Sequence, residues 1–251
     1  MPSAITSGMA MSRADAPDWE RVISAAANLQ RIPPDAVLVG GTAAALYARH
    51  RLSSDADHVL GDLRARFDEV LMQLESVAGW KTARIQRPVQ ILGSLDGIET
   101  GVRQLIRSEP LEATQIDCEG VRVTVPTAAE MLRIKAVLIL RRNATRDYLD
   151  FVALCGKLGE EAAAAALASF DRLYPQDNGE SPLQQLQVQL ASPLPYDLEA
   201  VNLGEYKQLQ PDLHDWQRVR QRCADAACLI LDRLIGPADD AGGATTVAAD
   251  G

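Results

Sequence analysis

The segment VLVGGTAAALYARHRLSSDADHVL, residues 37–60, contains the clearest structural signals in the chain. It begins with a short apolar run, which is typical of a buried strand. Two glycines follow, and the alanine-rich TAAALYARH after them predicts a short helix. ADHVL at the end predicts a second strand, and two aspartates one residue apart, Asp55 and Asp57, lie at its start. The segment therefore predicts a strand, a glycine turn, a helix and another strand.

The glycine pair Gly40–Gly41 predicts an anion site. Glycine tolerates a positive φ and lets a ligand approach the main chain closely. Free N–H groups at the start of the following helix, together with the positive end of its dipole, favour a bound phosphate. The hydroxyl of Thr42 is a candidate for an additional contact.

The two aspartates predict a cation site. A strand has a period of two, so the side chains of Asp55 and Asp57 are expected on one face. Neighbouring carboxylates repel each other unless a cation lies between them, and Mg²⁺ suits a few carboxylates plus water and phosphate oxygens. A triphosphate on the glycine turn with its metal on the aspartates would form a phosphoryl-type transfer site. The alternative is a glycine helix start followed by a solvated acidic turn.

The flanking sequence predicts a mixed α/β region over residues 17–125. Residues 17–30 and 62–79 have the apolar spacing of amphipathic helices. Residues 80–125 contain five short β-type segments, which predict an extension of the same sheet. The sequence CEG predicts the turn of a final hairpin. These segments are WKTARI, VQILG, GIETGVRQLI, ATQID and VRVTV.

Residues 126–235 predict a helical domain. Thr127 followed by Glu130 is a capping-box pattern at the start of the first helix. Two more helices follow, then a looser stretch rich in proline and glutamine over 174–211, and a final helix at about 212–235. The chain ends, residues 1–16 and 236–251, are expected to be a flexible tail and a disordered tail.

Composition and charge exclude several classes of protein. The chain of 251 residues has a net charge of −9, which argues against a protein that coats nucleic acid nonspecifically, although residues 133–146 form a local basic face. No apolar run is long enough to cross a bilayer, and the N-terminus lacks the pattern of a signal peptide. The four cysteines form no CxxC pair, so zinc and a disulfide framework are not expected. We expect reduced thiols and a cytoplasmic location.

The order of Gly-Gly, helix and HRLSSDAD resembles the polymerase β-like nucleotidyltransferases, and within them most closely the AbiEii-type toxins of toxin–antitoxin and abortive-infection systems. A later lysine, Lys135, and the segment RDYLD at 146–150 match the pattern of that branch in the helical half. The resemblance covers about residues 36–155. It implies an α+β fold, with a small mixed sheet and packed helices followed by a helical C-terminal half. It also implies Mg²⁺-dependent transfer of a nucleoside monophosphate from an NTP, with release of pyrophosphate.

The resemblance also implies roles for individual residues. The nucleotide-binding set is Gly40, Gly41, Thr42, Arg51, Ser53 and Lys135. Asp55 and Asp57 would bind metal and act in catalysis. A third carboxylate is usual on a neighbouring strand, and the best candidate is Glu99, ahead of Asp96 and Asp117, which lie in expected turns.

For three residues of the helical half, the sequence leaves two or more roles open. Lys135 would neutralise the leaving pyrophosphate, or would only extend outward from an apolar helix. Asp147 and Asp150 share a helix face, so one of them would orient Lys135 or complete the active site, or both would belong to a surface ion-pair patch.

The resemblance further implies partners. The substrate would be an NTP, the acceptor tRNA or a protein, and the chain would pair with a cognate antitoxin, with no membrane association. An alternative is a nucleotide- or protein-binding module that has lost its chemistry, because His58 follows the second aspartate and the third carboxylate is not obvious. Another is a glycosyltransferase, since two such aspartates also hold sugar nucleotides.

Overall fold

The structure, a computed structural model, describes residues 16–235, and side chains within 19–234. The predictions for the tails at 1–16 and 236–251 fall outside this range, apart from Ala16, which begins the first helix. The N-terminal half contains three helices and seven strands. They are α1 (Ala16–Leu29), β1 (Val37–Leu38), α2 (Gly40–Ala48), β2 (Ala56–Leu60), α3 (Leu63–Glu75), β3 (Trp80–Gln86), β4 (Gln90–Leu95), β5 (Ile98–Gln104), β6 (Ala113–Cys118) and β7 (Val121–Pro126).

The C-terminal half is helical in its regular structure. Thr127 caps its first helix by accepting a hydrogen bond from the Glu130 N–H at 3.2 Å. The reciprocal bond of a capping box is not formed, because the Thr127 N–H donates to the Glu112 carbonyl and the Glu130 carboxylate pairs with Arg107 and Arg133. The helices are α4 (Ala128–Arg142), α5 (Thr145–Leu158), α6 (Glu160–Leu167), α7 (Phe170–Leu173), α8 (Pro182–Ala191) and α9 (Trp216–Ile235), with 3₁₀ turns at Leu203–Glu205 and Pro211–Leu213. The predicted α+β class is confirmed.

Five strands form one mixed sheet in the order β1-β2-β5-β4-β3. The central pair β2–β5 is parallel, whereas the other pairs are antiparallel. In β2, Ala56, His58 and Leu60 are buried, but Asp57 is half-buried and faces the other way. Helices α1 and α3 cover the buried face. The sheet therefore leaves its Asp57 face accessible.

The prediction that all the later strands extend this sheet is wrong for the last two. Strands β6 and β7 form a separate two-stranded hairpin, in which Cys118 pairs with Val121 at the predicted turn. The side-chain amide of Gln30 explains part of this separation. It donates to the Thr124 carbonyl at 2.7 Å and accepts from the Thr124 N–H at 2.8 Å. These bonds occupy backbone groups of β7 that another strand would need.

The prediction of a loose stretch over 174–211 misses helix α8. Ser181 caps this helix by accepting from the Gln184 N–H at 3.0 Å, and Pro182 occupies its first position. Leu183, Leu186 and Leu190 are buried at helical spacing. The glutamines between them concealed this apolar pattern in the sequence.

One hydrophobic core joins the two halves of the chain. The alanines of α2 pack in the same cluster as Leu149 and other residues of α4, α5, α8 and α9. Small side chains on α2 let it approach the helical half closely. Division into two domains near residue 126 stays a prediction. None of the helices between Ala16 and Ile235 combines the length and hydrophobicity that crossing a bilayer requires.

Candidate active site

The glycine turn lies directly against the second aspartate. Val39, at the end of β1, donates its N–H to the Asp57 carbonyl at 2.8 Å, which fixes the turn beside β2. Gly40 has φ +78°, a conformation that favours glycine. A Cβ built onto Gly40 would lie 3.5 Å from the Asp57 Cβ and 3.6 Å from its Oδ2. The Asp57 carboxylate therefore lies beside the turn.

Gly41 is surrounded by two further polar side chains. A Cβ added here would lie 2.5 Å from Arg51 Nη2 and 2.8 Å from Ser53 Oγ. Ser53 in turn makes a very short hydrogen bond to the Asp55 Oδ1. The structure thus brings Gly41, Arg51, Ser53 and Asp55 together, although β2 begins after Asp55 rather than including it.

Thr42 holds the loop in place. Its side chain is fully buried, and its hydroxyl donates to the Asp55 carbonyl at 2.5 Å. This bond ties the first turn of α2 to the aspartate pair. The hydroxyl is engaged within the protein, and a direct contact of Thr42 with a nucleotide stays a prediction.

The two aspartates lie beside the glycine turn, Asp57 directly and Asp55 through Ser53. Both are half-buried, and Asp57 Oδ1 lies 3.6 Å from Arg103 Nη2. Among residues 16–235, no cluster of three or more acidic, histidine or cysteine side chains is arranged to hold a metal ion. Mg²⁺ is commonly held by one or two carboxylates plus substrate phosphates, so this donor set suits a metal that arrives with a triphosphate.

Glu99 lies on the same face of the sheet as Asp57. In the parallel pair, Gly101 is directly beside Asp57, and the two-residue period places Glu99 and Arg103 on that face. Glu99 is exposed, and its neighbour on the other side is Ser94 of β4. A role of Glu99 as third metal ligand stays a prediction.

Asp150 is the centre of a buried charge cluster. It accepts from His50 Nε2 at 2.7 Å and from Arg51 Nε at 2.7 Å and Nη2 at 3.0 Å. Lys135 Nζ lies 2.7 Å from its second oxygen. Burial opposes ionisation of Asp150, but the charges of Arg51 and Lys135 and the His50 hydrogen bond outweigh it and hold the pKa well below its usual range.

Lys135 does not extend outward from its helix. It is 1% exposed, and its Nζ also lies 3.4 Å from Asp147 Oδ1. Arg142 binds the same carboxylate with Nε at 3.1 Å and Nη2 at 2.8 Å. Asp147 and Asp150 are both fully buried, so the alternative of a surface ion-pair patch is wrong. The two carboxylates orient Lys135, and its contact with phosphate stays a prediction.

His58 lies on the face opposite Asp57, as expected from its position in the strand. It is fully buried under α1, and burial lowers its pKa to about 4. It is neutral at physiological pH and belongs to the core. It is therefore not placed to join the aspartates as a ligand.

The sequence analysis missed two residues of this region. Arg103 is detectable in principle, since the alternation in β5 places it on the face of Asp57. Tyr206 is not detectable from the sequence, because only the tertiary fold brings it to the site. There, Arg51 Cζ lies 5.7 Å from the centre of the Tyr206 ring. The contact between Arg51 and Asp150 is equally invisible in the sequence.

Comparison with solved structures shows the fold that this site belongs to. A candidate nucleotidyltransferase from Helicobacter pylori matches 90% of this chain and 98% of its own length, with a TM-score of 0.53 and 18% sequence identity. JHP933, also from H. pylori, matches 90% of this chain and 95% of its own, with a TM-score of 0.50 and 17% identity. The chain therefore has a nucleotidyltransferase-like fold.

Sequence comparison reaches only part of the chain. No protein-family profile matches it. It is 39% identical over 129 residues to the heme uptake protein MmpL11 of Mycobacterium tuberculosis, and this match covers 50% of the chain but 13% of MmpL11. The chain thus corresponds to a small part of the curated relatives that it matches.

Proposed function

We propose that the protein is a Mg²⁺-dependent nucleotidyltransferase that moves a nucleoside monophosphate from an NTP to an acceptor hydroxyl. The observation that carries the proposal is the convergence of Asp57, Ser53 and Arg51 on the Gly40–Gly41 turn. The nucleotidyltransferase-like fold supports it. Because MmpL11 is matched over only 13% of its length, we carry no transport role over to this chain.

The reaction forms one bond and breaks one. The acceptor oxygen bonds to the α-phosphorus, the bond from that phosphorus to the bridging oxygen of the β-phosphate breaks, and pyrophosphate leaves. The acceptor proton passes to solvent or to a carboxylate at the site. A divalent cation held by Asp55 and Asp57 would neutralise phosphate charge. The protein supplies mainly positioning and electrostatic stabilisation.

The chain's own residues would divide this work. The N–H groups of Gly40 and Gly41 would bind phosphate oxygens at the start of α2. Arg51 lies against Gly41 with its guanidinium fixed by Asp150, so it would contact phosphates without a large loss of side-chain entropy. Lys135, oriented by Asp147 and Asp150, would place its ammonium group behind the leaving pyrophosphate. Glu99 would assist in activating the acceptor.

The biological role is a further part of the proposal. The resemblance of HRLSSDAD and RDYLD to the AbiEii-type branch supports a toxin with tRNA or a protein as acceptor and with a cognate antitoxin. The four cysteines are all unpaired, which supports a reducing, cytoplasmic location. Expression of the chain alone should slow growth, and Asp55→Ala should relieve the effect.

Labelled nucleotides test the chemistry. The protein is incubated with Mg²⁺, total RNA or cell protein, and an NTP labelled at either the α- or the γ-phosphate. Transfer of the α-label but not the γ-label is expected, and Asp57→Asn should abolish it. Transfer of the γ-label would indicate a kinase, and transfer of neither label would contradict the proposed activity.

A second candidate is a nucleotide-binding module without chemistry. The observations that favour it are the Arg103–Asp57 ion pair and the missing three-carboxylate cluster within residues 16–235. This candidate predicts that the NTP binds without any label transfer and that Asp57→Asn leaves growth effects unchanged.

A further inference from the structure

An open pocket lies beside the charge cluster, on the helical side of Arg51. Its lining residues are Arg142, Ala144, Arg146, Tyr196, Asp197 and Tyr206. The pocket combines the charge of Arg146 with two aromatic rings, since the charge of Arg142 is already paired with Asp147. The proposed transfer chemistry uses neither tyrosine, and the whole chain is acidic, with a net charge of −9. A local concentration of cations and rings on such a chain indicates a specific ligand rather than general attraction.

The backbone of Tyr196 is anchored, whereas its side chain is 76% exposed. Its N–H donates to the Asn143 carbonyl at 3.0 Å, and the Asn143 side chain donates to the Leu194 carbonyl at 2.8 Å. Asp197 accepts from the Thr145 N–H at 2.8 Å and from its hydroxyl at 2.7 Å, which caps α5. An exposed ring on an anchored backbone is preorganised for stacking.

Tyr206, which lines the pocket, and Arg51 connect the pocket to the glycine turn. Arg51 packs over the Tyr206 ring at 5.7 Å on one side and reaches Gly41 on the other. The backbone holds the Tyr206 segment there, since the Leu52 N–H donates to the Lys207 carbonyl and the Gln210 N–H to the His50 carbonyl, both at 2.8 Å. A ligand in the pocket would therefore adjoin the phosphates proposed at the glycine turn.

We propose that this tyrosine–arginine pocket binds a nucleotide unit, with its base stacked on the tyrosines and a phosphate at Arg146. Aromatic side chains stack on any base, and arginine binds phosphate and stacks as well. The charge of Arg146 disfavours a polycationic acceptor. This inference rests on the proposed transferase function and deepens it. The unit is either the nucleoside part of the donor NTP or the terminal nucleotide of a nucleic-acid acceptor.

Binding measurements on the full chain test the pocket. Tyr196→Ala and Arg146→Ala are compared with the parent for binding of each Mg²⁺–NTP and of a labelled single-stranded RNA 12-mer. Loss of a stacked base weakens binding by about tenfold or more. Tyr196→Phe should retain binding because it keeps the ring. Arg84→Ala is the control, since Arg84 is exposed on the outer strand β3.

The two ligands distinguish the two sources of the nucleotide. Weaker RNA binding alone assigns the pocket to an acceptor, and weaker NTP binding alone assigns it to the donor. The inference is overturned if both variants bind both ligands like the parent, or if Arg84→Ala weakens binding equally. If pocket variants bind normally while Asp57→Asn loses Mg²⁺–NTP binding, the pocket inference fails and the transferase proposal stands. A parent chain that binds neither ligand contradicts both.

Discussion

At the scale of single residues, the candidate site depends on side chains that buried hydrogen bonds hold in one position. Arg51 occupies the space where Gly41 would carry a Cβ, and Asp150 holds its guanidinium with two hydrogen bonds. A methyl group added at Gly41 would displace Arg51, and this displacement would break the hydrogen bonds between Arg51 and Asp150. The glycine at 41 is thus explained by a neighbour 10 positions along the chain, as well as by any ligand.

We expect Gly41→Ala to destabilise the protein by about 1–3 kcal/mol and to weaken NTP binding, because the new Cβ would overlap Arg51 and Ser53. Gly61→Ala is the matched control, since a Cβ at Gly61 meets nothing within 4 Å. Urea unfolding measures both variants. Equal free energies of unfolding for the two would show that Arg51 is not fixed against the turn.

We expect Asp150→Asn to reduce the free energy of unfolding by about 3–5 kcal/mol, because it leaves buried cations without their shared counter-charge. Asp212→Asn, in the exposed pair with Arg218, should change it little. Chemical denaturation of both variants provides the comparison. A small loss for Asp150→Asn would mean that the buried cluster contributes no more than a surface pair.

The same variant has an expected pH dependence. The pKa of Asp150 is depressed in the folded protein. The contribution of Asp150 to the free energy of unfolding is therefore complete above its unfolded pKa of about 3.9, and it is lost as the pH falls through its folded pKa. The stability difference between the parent and Asp150→Asn should therefore be constant near neutral pH and shrink in acid. A difference that grows in acid would contradict the assigned ionisation state.

At the scale of secondary-structure elements, the sequence predicts most of what local pattern controls. The order of strand, glycine turn, α2 and β2 is confirmed, as are the Thr127 N-cap of α4 and the turn between β6 and β7. The two elements that were predicted wrongly are determined by contacts with distant parts of the chain. The separate hairpin depends on the Gln30 amide, and α8 depends on packing against α9.

We expect Gln30→Ala to destabilise the protein by about 1–2 kcal/mol, because the Thr124 N–H and carbonyl lose their partners. Gln73→Ala is the control, since Gln73 is half-buried on α3 and bonds only Glu69 at 3.1 Å through its side chain. Thermal unfolding monitored by circular dichroism compares the two. Equal melting temperatures would remove Gln30 as the reason for the separation of the hairpin.

At the scale of the whole molecule, the two halves share one core and one charge cluster. Residues predicted for the site from widely separated motifs meet because α2 packs on α5, which brings Arg51 to Asp150. The sequence contains both motifs, and it leaves the aspartates of the second open between orienting Lys135, completing the active site and forming a surface ion-pair patch. Sequence reasoning could not find the Arg51 contact, since nothing in either motif encodes the packing of one helix on another.

The packing of this core predicts which thiols react. Burial raises the pKa values of Cys155 and Cys223 to about 12, whereas Cys228 is exposed. In the native protein at pH 8, we expect Cys228 to react rapidly with a thiol reagent, the half-buried Cys155 to react more slowly, and the buried Cys223 to react only after unfolding. Mass spectrometry of the alkylated protein identifies the sites. Rapid modification of Cys223 in the native state would contradict the packing of α9.

We propose that Asp57 and the Gly40–Gly41 turn together hold a metal-bound triphosphate. Calorimetric titration of the protein with NTP measures this binding directly. In Mg²⁺, the parent should bind, and Asp57→Asn should bind at least about tenfold more weakly, with the difference disappearing in EDTA. Asp117→Asn, on the separate hairpin, should bind like the parent. Equal NTP binding by the parent and Asp57→Asn in Mg²⁺ would contradict the claim.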